Sequence, residues 1–288
     1  MDSPETGALL KGQVALITGA ARGIGAAIAQ AFARQGAELV LNDVGCDRHG
    51  LGADPGPVAE LAQQLQDAGH AVLSHTADIS AEDQVEQLFA QAEERFGRVD
   101  ILVNSAGIVA DKSLFDLEVE DWDRVISVHL RGTFLCTRAF ARLGRKKRQG
   151  GSIINMTGIS GMLGNLGQIN ESTSKAGIYG LTRTASIELQ RFGIRVNAIA
   201  PIARTRLTED LPMFEKVSGT MEAKHIAPAA VFLASALAED ISGTVLSVAG
   251  GRLSCFELAE SQGRVKEADD GVWTPEQIAQ AYDSIARR

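Results

Sequence analysis

The sequence predicts a doubly wound α/β domain, and three observations carry that prediction. Short aliphatic runs alternate with segments of helical periodicity, no long linker separates them, and glycines mark the joints. Strands alternating with helices imply crossover connections and a parallel sheet covered on both faces.

In chain order, QVALIT (13–18) reads as a first strand and GIGAAIAQAFARQ (23–35) as the helix after it. AELVLND (37–43) is a second strand, followed by GCDRHGLGADPGP (45–57), whose Gly, Pro and Asp content predicts a surface loop. PVAELAQQLQDAG and AEDQVEQLFAQAEERFG carry apolar residues at helical spacing around a third strand, AVLSHTAD (71–78). Gly36, Gly69 and Gly97 follow these helices as candidate C-caps. DILVNSAG (100–107) is the fourth strand, and DWDRVISVHLRGTFLCTRAFARL (121–143) a long helix. GRKKRQGG (144–151) holds four consecutive cations and predicts a solvated loop before the fifth strand, GSIINMT (151–157). A second long helix, ESTSKAGIYGLTRTASIELQRF (171–192), precedes the sixth and seventh strands, IRVNAIAP (194–201) and TVLSVAG (244–250). The reading is thus one seven-stranded parallel sheet in a domain spanning 11–251, with a tail over 1–10 and a partly helical extension over 252–288. In that extension Thr274, Pro275 and Gln277 form a helix start.

The bulk properties exclude several classes of function. Lys and Arg number 28 against 36 Asp and Glu, a net charge of −8 that argues against a general nucleic-acid binder. No run of about 18 apolar residues is present, and the first residues lack a basic, then apolar, signal pattern. Cys46, Cys136 and Cys255 have no metal-ligand or C-x-x-C spacing, so no metal is expected and the thiols suit a reducing, cytoplasmic location.

TGAARGIG (18–25) follows the first strand and opens the first helix. Gly19, Gly23 and Gly25, with Arg22 and Ile24 between them, allow a tight turn and close approach to a pyrophosphate, and the helix start adds free N–H groups. Asp43, about twenty residues on, suits the ribose hydroxyls and repels a 2′-phosphate. NAD is therefore expected over NADP, with the cation of Arg22 arguing the other way.

TGAARGIG, NSAG (104–107), STSK (172–175) and RVNAIAP (195–201) together resemble the short-chain dehydrogenase/reductase family over roughly residues 10–250. LNDVG and VHLRGTF (128–134) are similar to its hydroxyacyl-CoA dehydrogenase branch, and bacterial oxoacyl reductases are also similar. The resemblance implies a Rossmann-type fold in which Asp78 and Ile79 lie beside the adenine, and Asn104, Ala106 and Gly107 line the dinucleotide. It also implies that Pro201 and Thr205 flank the nicotinamide carboxamide, although Ile202 stands where a Gly usually follows the Pro. A small-molecule substrate and a homo-oligomer, a tetramer or else a dimer, follow from the same resemblance.

Two positions depart from it. The family's proton-handling Tyr, the Lys four residues later and the substrate-binding Ser thirteen residues earlier match Glu171, Lys175 and Gly158. A relay Asn on the preceding helix matches His129. A phenol with a reference pKa of about 10 can serve as a general acid beside an ammonium, whereas a carboxyl near 4.3 is a competent base and a poor donor at neutral pH. Its oxygen also stops roughly 2 Å short of a tyrosine hydroxyl. Three functions fit: an oxidoreductase with an impaired or altered relay, a repurposed isomerase, lyase or dehydratase with Glu171 as base, and an inactive binding subunit or inactivated variant. Selectivity is expected from residues 204–224.

Overall fold

A computed structural model describes residues 8–209, 221–267 and 271–286. The expected tail thus lies outside the described residues except at its last positions, as does the middle of the expected selectivity segment.

Two compact units divide the chain at Cys255. In the first, β1 (Val14–Thr18), β2 (Glu38–Asn42) and β3 (Val72–His75) form one half of a sheet, with β4 (Ile101–Asn104), β5 (Gly151–Met156), β6 (Ile194–Ile202) and β7 (Val245–Ala249) forming the other. The order is β3-β2-β1-β4-β5-β6-β7-β8, where β8 is Arg252–Cys255. All neighbours are parallel except β7 and β8, which pair antiparallel.

The eighth strand corrects the seven-stranded expectation. Ala249 pairs with Arg252 across Gly250 and Gly251, and Gly250 has φ of 57°. A Gly-Gly pair between two strands is a hairpin signal, and only glycine enters that left-handed turn without strain. At the other end, Leu10 is fully buried, one position before the expected start at 11.

Period-two alternation explains why both sheet faces are covered. Ala15, Ile17, Leu39 and Leu41 point into a core shared with α1 (Gly23–Arg34), α2 (Gly56–Asp67) and α8 (Ala227–Ala234). Val14, Leu16 and Val40 point to the opposite core, built with α3 (Glu82–Phe96) and α5 (Gly132–Lys147). The expected capping glycines all adopt positive φ: 83° at Gly36, 91° at Gly69 and 76° at Gly97.

Three local expectations need correction. Helix α2 starts at Gly56, inside the segment expected to be loop. The cationic run is helical through Lys147, because Lys146 and Lys147 reach Glu93 at 3.1 and 2.8 Å and cations suit a helix C-terminus. The helix expected over 121–143 is α4 (Val119–Ile126) and α5 joined by a π-helical turn, Ser127–Arg131. Such turns add one residue per turn and re-aim a side chain, here His129.

The remaining helices are α6 (Ser160–Leu163) and α7 (Ile169–Leu189), whose buried stripe is mostly polar: Asn170, Ser174, Lys175, Thr182 and Ser186. That polarity is matched from the sheet, where Asn155 Nδ2 donates to Thr182 Oγ1 at 2.9 Å and Asn104 Nδ2 to Asn155 Oδ1 at 2.9 Å. In the second unit, α9 (Pro275–Ala286) starts with a reciprocal cap. The Gln277 N–H donates to Thr274 Oγ1 at 3.3 Å, and the Thr274 N–H donates to Gln277 Oε1 at 3.1 Å.

Candidate active site

The chain leaves β1 toward β2 and β3, then returns to place β4 on the other side of β1. A crevice opens at the C-terminal ends of strands where the order reverses in this way. Gly19 follows β1 with φ of 63°, and a Cβ there would lie 2.6 Å from the Ala106 Cα after β4. The two loops therefore touch backbone to backbone. A Cβ on Gly25 would lie 2.1 Å from the Gly19 carbonyl oxygen, which seats the start of α1 against the same turn. Arg22, the N-cap of α1, makes no side-chain cap, so the first-turn amides keep their hydrogen-bonding capacity. This uncapped, glycine-walled helix start fits a pyrophosphate.

A cavity of about 680 Å³ runs from this turn to α7, and every candidate residue except Asn104 lines it. Asn104 is buried behind the wall, where its amide donates to Asn155 as above; its Oδ1 is buried without a hydrogen-bond partner. Asp43 stands at the end of β2 and organises the loops around it. Its Oδ2 accepts from the Ala21 N–H at 3.0 Å and its Oδ1 from the Gly45 N–H at 2.8 Å. A carboxylate oxygen takes two donors, so each retains a site for a ligand hydroxyl. Asp78 accepts the Ser80 N–H and hydroxyl at 2.9 and 2.7 Å, which shapes the entry to α3, and Ile79 packs against Gly132.

At the far end, Lys175 is buried and its Nζ donates to the Met156 carbonyl at 3.0 Å. Glu171, one turn earlier on α7, places Oε1 3.8 Å from Lys175 Nζ and Oε2 3.6 Å from His129 Nδ1. Neither separation is a hydrogen bond, and Glu171 Oε2 and His129 Nδ1 are buried without a hydrogen-bond partner. The Asn170 side chain anchors this end of α7 by donating to the Ala110 carbonyl at 2.9 Å and accepting the Glu171 N–H at 2.8 Å.

The π-helical turn delivers His129 into the core, 4 % exposed, against the segment after β4. A Cβ on Gly107 would lie 2.9 Å from the ring, so a side chain there would displace it. Nε2 lies 2.9 Å from both the Ile108 N–H nitrogen and the Ile108 carbonyl oxygen. A carboxylate facing Nδ1 favours a proton on Nδ1, and Nε2 then accepts from the Ile108 N–H. Burial pushes the His129 pKa below the usual imidazole range; Glu171 pulls it up and Lys175 pushes it down further. That direction favours the neutral ring, and its contact with Glu171 gains ion-pair character only when the ring is protonated.

Gly158 follows β5 and bares this wall. An added Cβ would make ordinary contacts of 3.4 Å with Lys175 Cγ and Ser160 Oγ. Thr157 donates its hydroxyl to the Lys175 carbonyl at 2.8 Å.

The wall residues that sequence reasoning missed include the segment from Met156 to Gln168 and part of the 45–54 loop. Cys46, Gly50 and Gly52 line the cavity. The loop is held inward by the Val109 N–H donating to the Arg48 carbonyl at 2.8 Å and by the Arg206 guanidinium donating to the Cys46 carbonyl at 3.1 Å. Asp47 Oδ1 accepts the His49 and Leu51 N–H groups at 2.8 and 2.9 Å. An Asp closing a turn on the next residues is a legible signal of an ordered loop, though not of its destination.

A family model described as enoyl-(acyl carrier protein) reductase matches residues 19–252. A 3-oxoacyl-[acyl-carrier-protein] reductase of Synechocystis is 38 % identical over 84 % of this chain and 97 % of its own. A hydroxyacyl-CoA dehydrogenase of Mycobacterium tuberculosis is 37 % identical over 93 % of this chain and 87 % of its own. The crystal structure of a short chain dehydrogenase from Mycobacterium avium superposes with a TM-score of 0.85 at 35 % identity, covering 96 % of this chain and 95 % of that one. The chain belongs to the short-chain dehydrogenase/reductase family, a family of NAD(P)-using oxidoreductases. Among the described residues no helix is long and apolar enough to cross a membrane.

Proposed function

We propose that this chain is an NAD(H)-dependent oxidoreductase for a hydroxyl/ketone pair on a hydroxyacyl- or oxoacyl-type substrate, with Glu171 handling the proton. The observation that carries this reading is the Glu171 carboxyl on the cavity wall, 3.8 Å from Lys175 Nζ and 3.6 Å from His129 Nδ1. The printed activities of the oxoacyl reductase and hydroxyacyl-CoA dehydrogenase relatives support the substrate class.

Gly19, Gly23, Gly25 and the start of α1 would hold the pyrophosphate. Asp43 would hold the ribose hydroxyls and repel a 2′-phosphate, which supports NAD over NADP. When bound, the nicotinamide cofactor supplies hydride transfer.

The chain's own groups handle the proton. As a hydroxyl is oxidised, Glu171 accepts its proton, and the neutral His129 ring at Nδ1 offers the next hydrogen-bonding position inward. Lys175, held by the Met156 carbonyl, lends positive charge to the oxygen that becomes negative. In the reverse direction the same group must return the proton, a task for which a carboxyl is less suited than a phenol, so turnover by the unaltered chain is expected to be slow.

The test pairs an NADH-binding titration with assays of acetoacetyl-CoA reduction and 3-hydroxybutyryl-CoA oxidation. NADH binding with turnover that is lost in Glu171→Gln supports the reading. NADH binding with turnover in neither direction, for both the unaltered chain and Glu171→Tyr, refutes it and favours non-redox use of Glu171 or a binding role.

We also propose a homo-oligomer, a tetramer or else a dimer, acting in the cytoplasm. Exposed Phe134 on α5 and Ile187 on α7 support assembly, and a monomer in light scattering refutes it.

A further inference from the structure

A reacting oxygen that alternates between hydroxyl, alkoxide-like and carbonyl states needs a hydrogen-bond donor about 2.7–3.1 Å away in the transition state. Gly158 brings none. The other hydroxyls on the cavity wall belong to Ser105, Thr157, Ser160, Thr205 and Thr208. Thr157 is buried and committed to the Lys175 carbonyl. Thr208 donates to the Ala203 carbonyl at 2.7 Å and lies 3.3 Å from the Thr205 hydroxyl. Ser105 sits in the loop against Gly19, at the cradle end of the cavity.

Ser160 is different. A Cβ on Gly158 would lie 3.4 Å from Ser160 Oγ and 3.4 Å from Lys175 Cγ, so the hydroxyl and the lysine stem meet at the corner Gly158 leaves bare. With a carbon–oxygen bond of about 1.5 Å, a hydroxyl carried by residue 158 would fall within about 2–5 Å of Ser160 Oγ. The two positions serve one corner.

The backbone under Ser160 is also fixed. A Cβ on Gly161 would lie 2.5 Å from Ala176 N and from the Lys175 carbonyl carbon, so α6 rests on α7 backbone to backbone. The Gly161 N–H donates to the Gly158 carbonyl at 3.0 Å and the Gly164 N–H to the Ser160 carbonyl at 2.8 Å. Among the described residues no hydrogen bond engages the Ser160 hydroxyl.

We propose that Ser160 supplies the hydroxyl that binds the reacting oxygen, in place of the missing side chain at 158; this rests on the hydroxyl/ketone reading above. The role makes Ser160 a catalytic residue two positions away from where the family resemblance places one.

The test measures acetoacetyl-CoA reduction by NADH in the unaltered chain and in the Glu171→Tyr background, so that a slow parent does not hide the effect. Ser160→Ala is expected to lower kcat about 10²-fold while NADH affinity stays within about twofold. Gly158→Ser, whose added Cβ fits, is expected to recover at least about tenfold in Ser160→Ala and to add less than about threefold alone. Turnover that ignores Ser160→Ala, or a Gly158→Ser gain equal with and without Ser160, overturns the Ser160 assignment alone. No turnover in either background overturns the function reading and the assignment with it.

Discussion

Replacing Glu171 by tyrosine inserts a phenol reaching about 2 Å further than the carboxyl oxygens. The cavity it enters has a volume of about 680 Å³, and Lys175 Nζ already stands 3.8 Å from Glu171 Oε1. At about 4 Å and an effective dielectric near 20, an ammonium and a phenolate attract by ~4 kcal/mol. If desolvation and side-chain relaxation leave a third of that, the phenol pKa of about 10 falls by about one unit. The phenol then keeps its proton at neutral pH yet surrenders it to an alkoxide. We therefore expect Glu171→Tyr to raise kcat/KM for acetoacetyl-CoA reduction about 10²–10⁴-fold, with NADH affinity unchanged. Loss of NADH absorbance gives the rate, and quenching of the protein's fluorescence gives the affinity. Lys175→Met in the same background is expected to remove the gain. A rise smaller than about tenfold with intact NADH binding refutes the reasoning, because another group must already donate the proton.

Three further outcomes follow from the geometry. NADH is expected to bind at least about tenfold more tightly than NADPH, and Asp43→Ala to narrow that ratio while lowering Tm, because it also frees the Ala21 and Gly45 amides; equal affinities in the unaltered chain remove Asp43 from the ribose site. Gly19→Ala is expected to cost at least about 1–3 kcal/mol from its left-handed backbone, with further loss from the 2.6 Å approach to Ala106, and urea unfolding measures it. His129 is buried with its folded pKa depressed, so its contribution is fully present above about pH 6.5 and is lost as pH falls from there through the folded value. Unfolding at a series of pH values is expected to show up to about 1.4 kcal/mol lost per unit over that window, with a shallower slope in His129→Gln.

Much was legible along the chain because it depends on local rules. Period-two aliphatic runs set the strands, 3.6-residue periodicity set the helices, and Gly36, Gly69 and Gly97 took the positive φ their positions require. The Gly19–Gly25 turn and Asp43 were readable for the same reason: a tight strand-to-helix turn leaves its signature in consecutive residues. Glu171 stood out as well, since it falls in a stretch of fixed spacing that resembles the family's motif. The eighth strand was in principle readable from Gly250–Gly251, yet a four-residue strand carries too little periodicity to announce itself.

What only the tertiary structure decided concerns groups distant in sequence. The Asn104 side chain faces inward because Asn155 and Thr137 complete a buried polar chain behind the wall. The 45–54 loop lines the cavity because Val109 and Arg206 draw it in, two partners that no local pattern names. A π-helical turn, which adds one residue to a helical repeat, aims His129 at Glu171, forty-two positions further along the chain. The corner at Gly158 exists because α6 rests on α7 at Gly161, so that Ser160 Oγ and the Lys175 stem both border Gly158. Spacing along a chain sets which local shapes form, whereas the distances between side chains at a site depend on how those shapes pack.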